Sequence, residues 1–241
     1  MPKVPKWVGD LLENAFSSKF PAVEVTEITY PHRQLKKIRF QGDLSRFSFE
    51  TGQAVLLRID DNNFRNYTPC FWDSEAGICD ILVHLHGKGP GSQFLAALIP
   101  GDSLHMSMPR GFNMYRRKSG SHFFFGDEST LGFFHSLKEI AAENGQQYGG
   151  VFELDEALTD VPAALGLDLP VVRKSAGDAA PAIAYLQAMP ENTWSQFENG
   201  TFYLFGNAKS IQQFRKALKE MDIATRNIVT HPYWAEGKIG L

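Results

Sequence analysis

Residues 86–92 read His86-Gly87-Lys88-Gly89-Pro90-Gly91-Ser92. The run Ile78 to Val83 upstream has the composition of a strand, and Phe94, Leu95 and Leu98 downstream are spaced as on a helix. Three glycines between a strand and a helix let the backbone approach a ligand closely. Ser92 is a residue type that caps helices, so the spacing predicts a helix starting there. The first turn of a helix directs unpaired N–H groups and its positive end outward, which makes an anion site suited to a diphosphate. No Gly-Lys-Ser/Thr ending follows, so the turn is not a nucleotide-triphosphatase loop.

Upstream the chain reads as short strands: Val23–Tyr30, Leu35–Phe40, Ala54–Ile59, Tyr67–Trp72 and Ile78–Val83. The last two are joined by Asp73-Ser74-Glu75-Ala76-Gly77, whose turn chemistry predicts a hairpin. Ser103–Met106 completes a set of six, and six short strands with polar turns predict an antiparallel β-barrel. Residues Lys6–Phe16 are expected to form a short amphipathic helix before it.

Past Lys118 the pattern changes. His122-Phe123-Phe124-Phe125 is a continuous apolar run, as in a strand covered on both faces. A helix with Leu131, Phe134, Leu137 and Ala141 on one stripe follows, ending at Asn144-Gly145. Strands at Val151–Leu154, Leu169–Val172 and Thr201–Phe205 then alternate with helices at Ala182–Met189 and around Ile211–Met221. Alternation of this kind predicts a parallel sheet in an α/β domain. The expected organisation is a barrel over residues 1–118 and an α/β domain over residues 119–241.

The 241 residues carry a formal net charge of −3, so no basic field points to nucleic acid. Short basic runs such as Arg116-Arg117-Lys118 read as solvated loop. Two cysteines, Cys70 and Cys79, are too few for a disulfide framework and read as free thiols in a reducing compartment. No stretch has the length of a membrane span and none resembles a signal peptide, so a cytoplasmic protein is expected.

Arg65-Asn66-Tyr67-Thr68 stands at the start of a predicted strand. A flavin needs a flat surface for its ring, hydrogen bonds near N5 and charge compensation for its diphosphate. Tyr67 supplies a ring to stack on, Thr68 a hydroxyl and Arg65 a fork for phosphate. In isolation such a tetrapeptide reads rather as a core tyrosine beside a surface charge. The glycine-rich anion turn downstream tips the reading to FAD.

The order Arg65-x-Tyr67-Thr68, a strand ending in His86-Gly87, Gly89-Pro90-Gly91-Ser92 and Pro100-Gly101-Asp102 resembles the siderophore-interacting protein family. These are FAD-containing ferric-siderophore reductases of the ferredoxin reductase-like superfamily. The similarity continues at Gly126-Asp127-Glu128-Ser129-Thr130 and at Tyr233-Trp234-x-x-Gly237. It implies a flavin barrel followed by a domain for NAD(P)H. Arg65, Tyr67 and Thr68 then match the flavin-ring motif, with His84, His86 and Gly87 at the strand end beside it. Gly89, Gly91 and Ser92 match the diphosphate turn, and Asp127, Glu128 and Thr130 the loop expected near the pyridine nucleotide. Three departures are visible: a single Lys88 between His-Gly and Gly-Pro, Pro69-Cys70 where a basic residue is common, and Gly206-Asn207 where Gly-Glu is common.

The resemblance implies electron flow from NAD(P)H through FAD to a ferric siderophore or other ferric chelate, with release of ferrous iron. The flavin carries the chemistry, so no side chain is assigned as acid or base. Lys88, Arg116 and Lys238 are the candidate cations for an anionic chelate. Two alternatives stay open: exchange of electrons with a ferredoxin or flavodoxin, and non-enzymatic binding of a ferric chelate. His84 and His86 share a strand face, but no third metal ligand stands at useful spacing. Asp155-Glu156 follows a strand end, where acids either favour an unphosphorylated ribose or sit in a solvated loop.

Overall fold

The structure is a computed structural model that describes residues 20–60, 63–175 and 177–238. The expected helix at Lys6–Phe16 lies outside the described residues. The chain divides into two compact units between Tyr115 and Arg116.

The first unit is antiparallel. Its strands are β1 (Ala22–His32), β2 (Leu35–Gly42), β3 (Val55–Arg58), β4 (Phe64–Tyr67), β5 (Phe71–Asp73), β6 (Ile78–His84) and β7 (Ser103–His105). One sheet has the order β5-β6-β2-β1-β7, and β3 pairs with β4 separately. Isolated bridges from Ala54 to Arg110 and from Leu57 to Met106 tie the β3–β4 pair to the chain around β7, giving a barrel-like wall. Alternating residues such as Val23, Val25, Ile38, Phe40, Cys79, Ile81 and Val83 fill its core, as a half-buried pleat requires. Cys70 and Cys79 are free thiols, and burial pushes the Cys70 thiol up to about 12.

Two expectations are corrected here. The single strand Tyr67–Trp72 is two strands that serve different sheets: β4 pairs with β3, whereas β5 pairs with β6. Pro69 lies at the break, where a missing N–H ends one ladder before the next begins. The helix assigned to Ser92 begins earlier, as α1 (Pro90–Ala97), with Gly89 as N-cap and Pro90 at the first helical position. Proline is well suited there, because its absent N–H would have been unpaired anyway.

The second unit is a parallel sheet of order β10-β9-β8-β11-β12. It contains β8 (Ser121–Gly126), α2 (Leu131–Glu143), β9 (Gln147–Leu154), a short α3 (Val161–Ala164), β10 (Val171–Arg173), α4 (Ala180–Gln187), a short α5 (Glu191–Trp194), β11 (Thr201–Asn207), α6 (Ala208–Glu220) and β12 (Ile228–Trp234). Every residue of β8 and β11 is buried, which explains their unbroken apolar character. The rings of Phe123, Phe125 and Phe214 stack below the sheet, and Phe133 stacks on Phe205 at 4.3 Å. The last strand, β12, was not expected. Its sequence Ile-Val-Thr-His-Pro-Tyr-Trp carries a proline and leaves several residues exposed, because it is the edge of the sheet beside β11.

Candidate functional site

In the first unit, β6 delivers the chain to the glycine turn, and α1 leads it away. Gly87 and Gly89 have φ of 70° and 82°, which glycine adopts without the strain a side chain brings. A Cβ built on either meets nothing within 4 Å, so the turn is open on that side. Gly91 is the reverse case. Its Cβ would lie 2.7 Å from the Tyr67 hydroxyl and 3.2 Å from Arg65 Cγ. The two stretches separated by more than 20 residues in sequence therefore meet at Gly91, whose missing side chain makes the room.

Ser92 is buried, but it is not the cap; its Oγ accepts a hydrogen bond from the Gly87 N–H at 3.2 Å and holds the turn closed across its base. Among the described residues no side chain caps α1, so its first-turn N–H groups are left to whatever approaches the turn. Arg65 donates from Nη1 to the Phe64 carbonyl and is half-buried. Burial pushes the Tyr67 hydroxyl up to about 12, against the pull of Arg65, so Tyr67 is a neutral phenol at any physiological pH. The His84 and His86 rings lie 5.9 Å apart, and Lys88 is exposed on the turn itself. Among the described residues no group of three or more His, Cys, Asp or Glu is placed to hold a metal ion.

In the second unit, Asp127, Glu128 and Thr130 form a corner after β8. All three are buried. Asp127 Oδ1 accepts from the Ser129 N–H and hydroxyl, and Oδ2 accepts from the Asn207 N–H at 2.9 Å and Trp234 Nε1 at 2.7 Å. Glu128 accepts from the Asp155 N–H at 2.6 Å and pairs with Lys174 Nζ at 2.5 Å. The Thr130 hydroxyl donates to the Asp127 carbonyl. Lys174 also stands 5.3 Å from the centre of the Trp234 ring. Burial lowers its pKa, but Asp127 and Glu128 outweigh that and leave it raised. The carboxylates of this corner are thus matched by protein donors, as buried charges must be.

Below the corner, Phe125, Gly126, Asp127, Glu153, Phe205, Asn207 and Ser210 line a small crevice at the carboxyl ends of the strands. In open parallel sheets this is the edge where ligands bind. Glu153 is buried there. It accepts one hydrogen bond from Ser210 Oγ at 3.2 Å, and its other oxygen has no partner among the described residues.

Residues 22–115 match the family model described as oxidoreductase FAD-binding domain. Solved structures extend the likeness to nearly the whole chain. The siderophore-interacting protein SipS from Aeromonas hydrophila is 20% identical, with a TM-score of 0.74 over 92% of this chain and 94% of that one. A siderophore utilization protein from T. fusca is also 20% identical, with a TM-score of 0.76 over 92% and 95%. Phthalate dioxygenase reductase, described as a modular structure for electron transfer from pyridine nucleotides to [2Fe-2S], is 14% identical, with a TM-score of 0.73 over 92% and 70%. The fold is ferredoxin reductase-like. The resemblance to siderophore-interacting proteins read from the motifs is borne out at the level of the fold.

Arg65, Tyr67, Thr68, His84, His86, Gly87, Lys88, Gly89, Gly91 and Ser92 all fall inside the stretch matching the FAD-binding domain. The donor set there fits FAD: an open glycine turn, uncapped helix amides for a diphosphate, and an arginine and a tyrosine packed against the same glycine. Asp127, Glu128, Thr130, Arg116 and Lys238 belong to the other unit, with Arg116 and Lys238 exposed. Three residues of the corner and crevice were missed: Glu153, Lys174 and Ser210. Glu153 had a signal, a lone acid inside the apolar strand Val151-Phe152-Glu153-Leu154. Lys174 and Ser210 had none, since each stands in an ordinary polar loop or helix start. No helix among the described residues is long and apolar enough to cross a membrane.

Proposed function

We propose that the chain is an FAD-dependent oxidoreductase that takes electrons from NAD(P)H and passes them to the iron of a ferric siderophore, releasing ferrous iron. The observation that carries the flavin part is the meeting of Arg65 and Tyr67 with Gly91 at the uncapped start of α1. When bound, FAD supplies the exchange between a two-electron hydride donor and a one-electron acceptor, so one NAD(P)H suffices for two ferric ions. The residues do the rest. Tyr67, kept neutral, offers a flat face to the ring, and Thr68 a hydroxyl beside it. Arg65 and the amides of Gly91 and Ser92 balance the diphosphate charge. His84, His86, Gly87 and Gly89 shape the turn around it.

The domain assignment goes with this reading: the flavin domain expected over residues 1–118 takes the first unit, which ends at Tyr115, and the NAD(P)H domain expected over residues 119–241 takes the second, which starts at Arg116. Asp127, Glu128 and Thr130 then act by fixing the corner against which the nucleotide lies. Exposed Lys88, Arg116 and Lys238 steer an anionic chelate. The ferric chelate as substrate is supported by the likeness to the siderophore-interacting proteins, and its release follows from the weaker hold of such chelates on ferrous iron.

The absorbance spectrum of the purified protein comes first. A colourless protein that FAD does not reconstitute would refute the flavin reading. Stopped-flow mixing with NADH and with NADPH then tests the donor, and bleaching by neither removes the nucleotide part. Ferric-chelate assays with a ferrous trap test the acceptor. The likeness to phthalate dioxygenase reductase favours a second reading, electron exchange with an iron–sulfur protein. A bleached flavin that reduces a ferredoxin but no ferric chelate would decide for it.

A further inference from the structure

Lys36 has no exposed surface, although it is a lysine on a barrel strand. Its place on the strand is legible: in Lys36-Lys37-Ile38-Arg39-Phe40, alternation sends Lys36 to the face of Ile38 and Phe40. Burying an ammonium group is costly unless each of its three donors is answered. Here each is. Lys36 Nζ donates to the Leu95 carbonyl at 2.8 Å, to Ala96 at 3.0 Å and to Leu98 at 2.6 Å. All three acceptors are at the carboxyl end of α1. That helix has no basic residue in its last turn, and its C-cap, Leu98, leaves the helix with an extended ψ of 138°. Without Lys36 the buried Leu95 and Leu98 carbonyls would lose this donor, at the negative end of the helix dipole. Burial lowers the Lys36 pKa, and Asp102 offsets part of that.

The other end of the same helix is the glycine turn. The turn is anchored upstream by β6, and Lys36 pairs with Val83 of that strand in the ladder. One residue therefore touches both supports of the turn: the strand that enters it and the helix that leaves it. From the structure we infer that Lys36 is a positioning residue for the FAD diphosphate, clamping α1 by its last carbonyls so that its first amides face the ligand. The inference rests on the flavin reading above. It adds that affinity for the diphosphate depends on a buried lysine that never touches it.

The test uses the full chain and the variants Lys36→Met and Lys36→Arg, titrated with FAD and with riboflavin while flavin fluorescence is followed. Riboflavin carries the ring without the diphosphate. Positioning of α1 predicts that Lys36→Met weakens FAD binding tenfold or more and changes riboflavin binding less than twofold. Lys36→Arg, which keeps the charge but cannot match three carbonyls with a planar fork, should fall between. Should Lys36→Met fail to fold, the FAD-to-riboflavin ratio in Lys36→Arg decides alone. Equal losses for both flavins would make Lys36 a packing residue and overturn the inference, as would unchanged FAD affinity. Wild-type protein that binds riboflavin and FAD equally well refutes the diphosphate role of the turn; wild-type protein that binds neither refutes the flavin reading itself.

Discussion

Substitution of Glu153 by glutamine should raise the stability of this protein at neutral pH. The Glu153 side chain is 2% exposed. Burial is the main cause that lifts its pKa to about 7, helped by Asp127 and Asp178, while the Ser210 hydroxyl and Lys174 oppose it. In the unfolded chain the carboxyl returns to about 4.5. The folded form thus binds this proton more tightly. Its contribution to stability is fully present below pH 4.5 and is lost as pH rises through 7. A difference of about 2.5 units at ~1.4 kcal/mol each is about 3–4 kcal/mol between acid and neutral pH, an upper value, because water that reaches the carboxylate relieves part of the burial cost. Glutamine has the shape of the protonated acid and never ionises. Urea denaturation of wild type and Glu153→Gln should therefore coincide near pH 4 and diverge toward pH 8, with the variant more stable by up to about 3–4 kcal/mol. Hydrogen exchange at β9 and β11 assigns the effect to the second unit. The difference between the two proteins cancels His122, whose buried ring titrates with the opposite slope because its pKa is lowered. Parallel stability profiles from pH 5 to pH 8 would refute the argument, since they would mean that Glu153 is ionised in the fold at no cost.

Tyr67→Ala should lower FAD occupancy of the purified protein, read from the ratio of flavin to protein absorbance; unchanged occupancy would remove Tyr67 as the ring platform. Gly91→Ala places a Cβ 2.7 Å from the Tyr67 hydroxyl and 3.2 Å from Arg65 Cγ, so it should weaken FAD binding while thermal stability falls by only a few degrees. Isothermal titration against wild type checks this, and equal affinity would show that the turn and the Arg65-x-Tyr67 motif do not act together. Trp234→Phe deletes the Nε1 donor to a buried carboxylate and should cost about 1–3 kcal/mol in denaturant unfolding. A variant as stable as wild type would mean that water replaces that donor.

The sequence revealed what depends on period and on turn chemistry. The alternating strands of the barrel and the apolar runs of β8 and β11 identify both sheets, because a pleat with one wet face and a strand covered on both faces leave different patterns. What it hid are features set by partners far along the chain. Tyr67 to Trp72 reads as one strand because nothing local shows that its two halves pair with β3 and with β6. The helix start moves from Ser92 to Pro90 because the Ser92 hydroxyl is already held by the Gly87 amide, a bond across the turn that no capping rule contains. β12 escapes because an edge strand can carry a proline and exposed polar residues. For the candidate site, the residue types were legible in order along the chain, but not which carboxylates would find donors. Asp127 and Glu128 stand in an open-looking polar loop, yet both are buried and matched by Trp234, Asn207, Asp155 and Lys174.

The departure at Gly206-Asn207 gains a physical reason from the same corner. Gly206 has a φ of 104°, and a Cβ there would stand 2.5 Å from Asp127 Oδ2, so the carboxylate itself excludes any side chain. The next N–H then falls on that oxygen, and Asn207 turns its side chain onward to accept from the Lys209 and Ser210 amides at 2.9 and 3.0 Å. Asparagine is among the best helix N-caps, and here it caps α6 while its own backbone closes on Asp127. A glutamate at this position is a longer side chain that does not place an oxygen on those amides in the same way, and it would add a third acid beside Asp127 and Glu153. With Glu153 already lifted to about 7 by burial, a further negative charge would raise it more. The neutral Asn207 and the buried Glu153 are joined through Ser210, whose amide donates to Asn207 and whose hydroxyl donates to Glu153. Replacing Asn207 by glutamate should shift the Glu153 transition to higher pH, and carbon-13 titration of the labelled Glu153 carboxyl would show it; an unmoved transition would mean that the two positions are electrostatically independent.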